Sequence, residues 1–149
     1  MADKTILLVE DNPDDIELTK YAIEKNNLKN EIISVCDGAE ALEYLFGTGR
    51  YSGRDVSVMP AVILLDLNLP KIDGHEVLRR IRANDLTKLI PVIVLTSSKE
   101  VEDVANCYRL GVNSYVRKPV DFNQFIDAVK YLGMYWLQIN ESLYTREKK

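Results

Sequence analysis

Glu10 and Asp11, Asp66, Thr96 and Lys118 are the residues whose types and positions could do chemistry in this chain. Each closes a short, largely apolar run. Ile6-Leu7-Leu8-Val9 runs into Glu10-Asp11, Val62-Ile63-Leu64-Leu65 into Asp66, and Pro91-Val92-Ile93-Val94-Leu95 into Thr96-Ser97-Ser98, while Lys118 stands directly before Pro119. Three carboxylates held close together repel unless a cation sits among them. An all-oxygen ligand set favours a hard divalent ion, and a sparse one that leaves room for water suits Mg²⁺. A carboxylate beside that ion, with a lysine and a threonine opposite, suits phosphoryl transfer to the carboxylate. Lys118 and the ion neutralise the oxygens of the incoming group, and Thr96 can donate a hydrogen bond to one of them. An acyl phosphate on Asp66 is the expected product.

Strand ends must assemble such a site. A short unbroken apolar run bounded by turn residues reads as a strand buried on both faces. The pattern predicts strands over 5–10, 31–36, 62–66, 90–96 and 112–118, alternating with helices. Asn12-Pro13 caps the first helix, Asp14 and Asp15 suit its dipole, and Asn26-Asn27 stop it. Asp37 caps the second, whose Ala41, Leu42, Leu45 and Phe46 form one stripe. Asp73-Gly74 precedes the third, with Val77, Leu78 and Ile81 on one face. The fourth carries Val101, Val104, Ala105 and Tyr108 and stops at Gly111. Asp121 caps the last, with Phe122, Phe125, Ile126, Val129 and Leu132 toward the core. Residues 47–60 form a glycine-punctuated connection (Gly47, Gly49, Gly53) of the kind that is usually functional or mobile.

Strict alternation of buried strands and helices implies an α/β doubly wound parallel sheet with helices on both faces. For five strands the flavodoxin-like order is 2-1-3-4-5, and ligands bind beyond the carboxyl ends where strands 1 and 3 meet. That order sets Glu10 and Asp11 beside Asp66, with Thr96 next to them and Lys118 beyond.

The composition narrows the function classes. A chain of 149 residues with 46% hydrophobic and 28% charged residues is one ordinary domain with a real core. Net charge of -4 argues against nucleic acid as a partner. No apolar run approaches the ~20 residues that span a bilayer, and no signal peptide opens the chain, so a cytoplasmic protein is expected. Cys36 and Cys107 lack metal or redox spacing and read as reduced core residues. The sole histidine, His75, reads as a surface residue.

Asp11 after its apolar strand, Asp66-Leu67-Asn68-Leu69-Pro70-Lys71-Ile72-Asp73-Gly74, Leu95-Thr96-Ser97 and Tyr115-Val116-Arg117-Lys118-Pro119 together resemble a CheY-like response-regulator receiver domain. The likeness covers nearly the whole chain, so 1–149 reads as a single receiver domain with an extended C-terminal helix and no fused output domain. It implies that Asp66 is phosphorylated by a partner histidine kinase or phosphotransfer protein. Glu10, Asp11, Asp66 and the backbone carbonyl of Asn68 would arrange the Mg²⁺ site. Thr96 and Lys118 would contact the phosphoryl group, and Tyr115 would act with Thr96 as the switch. The Asn68 amide and Ser98 would flank the phosphoryl site, and the Lys118-Pro119 bond would be cis. The 47–60 loop, the Leu67–Lys71 wording and the aromatic C-terminus are similar to the single-domain regulators that pair with phytochrome-type sensor kinases.

From Tyr131 to Leu137 nearly every residue is apolar, more than one core stripe requires. Tyr131, Met134, Tyr135 and Leu137 are therefore candidates for a homodimer interface, the alternative being a tail folded back on its own domain. The rival function is an aspartate-nucleophile phosphohydrolase. Such enzymes use a second aspartate two residues after the nucleophile, where this chain has Asn68. A flavodoxin-like nucleotide binder is disfavoured, since no glycine-rich loop follows the first strand.

Overall fold

Unbroken apolar runs need cover on both sides, and the chain supplies it. In the computed structural model, which describes residues 2–28, 30–97, 101–143 and 146–147, the strands are β1 (Ile6–Val9), β2 (Ile32–Val35), β3 (Val62–Leu65), β4 (Val92–Thr96) and β5 (Ser114–Arg117). They pair in parallel in the order β2-β1-β3-β4-β5, the expected 2-1-3-4-5. The helices between and after them are α1 (Pro13–Lys25), α2 (Gly38–Phe46), α3 (Gly74–Ala83), α4 (Val101–Arg109) and α5 (Phe122–Gly133).

Successive strand residues point to opposite faces, so each run feeds two cores. Leu7, Val9, Ile63, Leu65, Val92 and Val94 pack with residues of α2, α3 and α4. Ile6, Leu8, Val62, Leu64, Ile93 and Leu95 pack with Ala22 and Ile23 of α1 and Phe125, Ile126 and Val129 of α5. The expected helix caps at Asn12, Asp37 and Asp121 form, and Asp73 caps α3. Asn12 accepts from the Asp14 amide at 2.9 Å, Asp37 from Glu40 at 2.7 Å, Asp73 from Glu76 at 3.0 Å and Asp121 from Gln124 at 2.9 Å.

Several expectations fail locally. On α4 the line 101–104–105–108 is not the buried one: Val101 is 81% and Tyr108 53% exposed, while Cys107 is fully buried. The core instead takes Cys107, with Leu110 just past the helix packed against it. Phe122 is exposed and lies against Tyr21, ring centroids 6.2 Å apart, because it sits at the helix start beyond the end of the sheet. Cys36 is exposed, since it lies one residue past β2 at the edge of the sheet. His75 is half-buried between α3 and α4, its Nε2 3.5 Å from the Asp103 carboxylate.

The 47–60 connection is pinned. Arg54 donates to the carbonyls of Tyr44 at 2.6 Å, Leu45 at 3.3 Å and Val58 at 2.7 Å, and its guanidinium lies 4.2 Å from the centroid of the Tyr44 ring. It thereby satisfies carbonyls that the end of α2 leaves open. Tyr51 donates to Glu40 at 2.7 Å.

Past α5 the chain widens into a π-helical turn, Met134–Ile139. Leu137 is 5% exposed and belongs to the α1–α5 core, so it is not available as an interface residue; the wider π turn rotates it inward. Tyr131, Met134 and Tyr135 are exposed, at 65%, 38% and 48%. Beyond, Arg146–Glu147 pairs antiparallel with Ala2–Asp3.

Candidate functional site

Three backbone hydrogen bonds carry the sheet pattern past the strand ends and fix the site. The Glu10 amide donates to the Val35 carbonyl at 3.1 Å, Asp66 to Val9 at 3.0 Å and Lys118 to Thr96 at 2.8 Å. The side chains expected to do chemistry thus spring from rigid backbone along one edge. After Asp66 the chain turns tightly: the Leu69 and Gly74 amides both donate to the Leu67 carbonyl, at 3.1 and 2.9 Å.

Glu10 and Asp66 are buried, at 3% and 7% exposure, while Asp11 is open to solvent. Carboxylate oxygens of Glu10, Asp11 and Asp66 lie within 4.8 Å of one another. Asp66 Oδ1 accepts from the Asn68 amide at 3.4 Å, and Glu10 Oε2 from the Asn12 amide at 3.2 Å. Lys118 reaches across all of this. Its Nζ donates to Glu10 Oε1, to Asp15 Oδ2 at 2.8 Å and to Asp66 Oδ2 at 3.5 Å. Thr96 is fully buried at the end of β4, opposite Arg117. Tyr115 is half-buried on β5 opposite Val94 and packs on the core beneath α4. The Asn68 side chain is exposed; Ser98 lies outside the described residues. The Lys118-Pro119 bond is trans, not cis. Trans is the lower-energy form before proline by about 0.5–1 kcal/mol, and Lys118 reaches the carboxylates from it.

Burial lifts the Glu10 carboxyl to about 7 against the pull of Lys118. Burial also lowers the Lys118 ammonium, but the hydrogen bonds it donates to Asp15 and Glu10 and the charge of Asp66 outweigh it and hold it above its ordinary value. Lys118 is therefore a permanent cation in a ring of acids. The donor set fits a hard divalent ion: three carboxylates, no nitrogen or sulfur, and one open side at Asp11.

Asp15 is the member that sequence reasoning missed; its place in the first turn predicts only a favourable interaction with the helix dipole. A signal existed. Asp15 heads the line Thr19, Ala22, Ile23, which is the buried stripe of α1, so its side chain points inward.

The family profile of the response regulator receiver domain matches residues 6–130. This chain belongs to that family. As a receiver of two-component signalling it is 40% identical over 135 residues to the response regulator Rcp1 of Synechocystis sp., covering 91% of this chain and 90% of the relative. Among solved structures, the receiver superposes on the phosphorylated cyanobacterial phytochrome response regulator RcpA with a TM-score of 0.89 at 40% identity, covering 95% of this chain and 99% of that one. The Mn²⁺-bound form of Rcp1 gives 0.86 at 38% identity, covering 93% and 98%. The bacteriophytochrome response regulator AtBRR gives 0.74 at 52% identity, covering 93% and 99%. The phosphohydrolase reading is not favoured by these likenesses. Among the described residues, no helix of the receiver is long and apolar enough to cross a membrane.

Proposed function

We propose that the chain acts as a single receiver domain over 1–149 that accepts a phosphoryl group on Asp66. The observation that carries this is the Lys118 ammonium, set 3.5 Å from Asp66 Oδ2 beside a cluster of three carboxylates. The donor is a phosphohistidine of a sensor kinase, of phytochrome type by the likeness to RcpA and AtBRR, or of a phosphotransfer protein. The phosphorus–nitrogen bond of the donor breaks as a bond forms to an Asp66 carboxylate oxygen.

Glu10, Asp11, Asp66 and the Asn68 backbone carbonyl would hold Mg²⁺, whose charge offsets that of the phosphoryl oxygens. Lys118 supplies a second, fixed positive charge from the protein. Thr96 donates a hydroxyl hydrogen bond to the phosphoryl group, and Tyr115 follows Thr96 inward, shifting the population between two arrangements of one fold. The protein turns over no external substrate; its chemistry is confined to gain and loss of the group on Asp66. It works in the cytoplasm through protein partners, and exposed Tyr131, Met134 and Tyr135 form a surface for a second copy of the chain.

The test is labelling with a small acyl-phosphate donor and Mg²⁺, read by intact mass, beside Asp66→Asn. One phosphoryl group on the wild type, absent in the variant and absent without Mg²⁺, is the expected result. Continued turnover of a phosphomonoester without stoichiometric label would instead favour the phosphohydrolase.

A further inference from the structure

Asp15 occupies the third position of α1, after its cap Asn12. An acid there ordinarily folds back on the backbone amide of the capping residue. In this chain the Asn12 amide already donates to Glu10 Oε2, at 3.2 Å. The Asp15 carboxylate is left to reach away from its own helix, and its Oδ2 accepts from Lys118 Nζ at 2.8 Å. The Asp15 backbone is held as well, its amide by Asn12 Oδ1 at 3.3 Å and its carbonyl by the Thr19 hydroxyl at 2.8 Å.

A lysine ammonium has three donors. Lys118 spends them on Glu10, Asp15 and Asp66, which come from the end of β1, from α1 and from the end of β3. Glu10 and Asp66 belong to the cluster of oxygens suited to a cation, and Asp66 is the group that changes chemically; Asp15 belongs to neither role. Its hold on Lys118 can therefore persist while the other two carboxylates change partners. Lysine has a flexible four-carbon stem, and leaving it free costs rotamer entropy whenever it must return to one place.

We propose that Asp15 is a positioning residue: it tethers Lys118 from α1 so that the ammonium faces the phosphoryl oxygens on Asp66. The inference rests on the phosphoryl chemistry proposed above. The carboxylate acts through its acceptor oxygen, so asparagine, which keeps an acceptor, should substitute better than alanine.

The experiment compares wild type, Asp15→Ala and Asp15→Asn in two measurements. The first is the rate of labelling by a small acyl-phosphate donor at saturating Mg²⁺. The second is the NMR signal of the Lys118 side-chain amine, whose proton exchange reports whether it is held. Labelling of Asp15→Ala should slow about tenfold, the scale of one charge-assisted hydrogen bond, with the Lys118 amine signal lost to fast exchange. Asp15→Asn should restore most of both. An unchanged labelling rate in Asp15→Ala would overturn the inference. So would equal slowing in both variants with the Lys118 signal intact, since Asp15 would then act through the start of α1. Failure of the wild type to take any label would instead defeat the functional reading, and the NMR comparison would still decide whether Asp15 holds Lys118.

Discussion

A Cβ built on Gly74 would stand 2.4 Å from the backbone oxygen of Asp66 and 2.6 Å from the Cα of Leu67. The start of α3 is thus pressed against the peptide that carries Asp66, the proposed phosphoacceptor, at a distance only glycine permits. Gly74→Ala must push the helix or the strand end away. We expect a loss of about 1–3 kcal/mol, the scale of overpacking in a tight interior, together with slower labelling of Asp66. Urea unfolding and intact-mass kinetics check this; wild-type values for both would mean the turn yields freely.

The Glu10 carboxyl, lifted to about 7 by burial, ties the site to pH. Below that value the group is protonated in the folded protein, whereas a divalent ion requires the carboxylate. Mg²⁺ affinity should therefore rise as pH rises toward about 7 and level off above it, with a proton released on binding in the lower range. For the metal-free protein the sign is opposite. Between the ordinary carboxylate range and about 7 the folded state holds a proton that the unfolded chain has lost, so stability falls as pH rises. Calorimetric titrations in buffers of different ionisation heat measure both affinity and proton release; an affinity independent of pH would remove Glu10 from the ligand set.

Arg54 is a structural clamp set well apart from the chemistry. Its replacement by alanine opens the Tyr44, Leu45 and Val58 carbonyls and removes the guanidinium from the Tyr44 ring. We expect a loss of about 2–3 kcal/mol, given the strength of hydrogen bonds from a charged donor, with labelling of Asp66 unchanged. A denaturation midpoint equal to that of the wild type would show that the loop holds itself.

The exposed aromatics after α5 bear on assembly. Tyr135 packs edge-on against Trp136, centroids 5.0 Å apart, yet remains 48% exposed. Sedimentation of the wild type should report a dimer, and Tyr135→Glu should shift it toward monomer by placing a charge in an apolar contact. A strict monomer in both would leave the turn as part of its own domain.

How much of this was readable beforehand differs by level. The strands followed from unbroken apolar runs and the parallel, doubly covered sheet from their alternation with helices. The order 2-1-3-4-5 was the common flavodoxin-like order for five such units, which the structure has. The helix caps at Asn12, Asp37 and Asp121 were equally legible, since capping is a local bond between residues two or three apart. On α4 the expected line through Val101 and Tyr108 failed, because packing against the core chose Cys107 instead.

The acids, hydroxyl and lysine at the strand ends were legible in the sequence, because strand register carries residue position directly into space. That the inward-turned Asp15 reaches Lys118, that Leu137 turns into the core and that Arg54 closes the long loop follow from packing. Asp15 meets Lys118 across 103 positions, while Arg54 reaches carbonyls only 4 to 10 positions away whose orientation the fold sets. No local period encodes such a meeting; packing does.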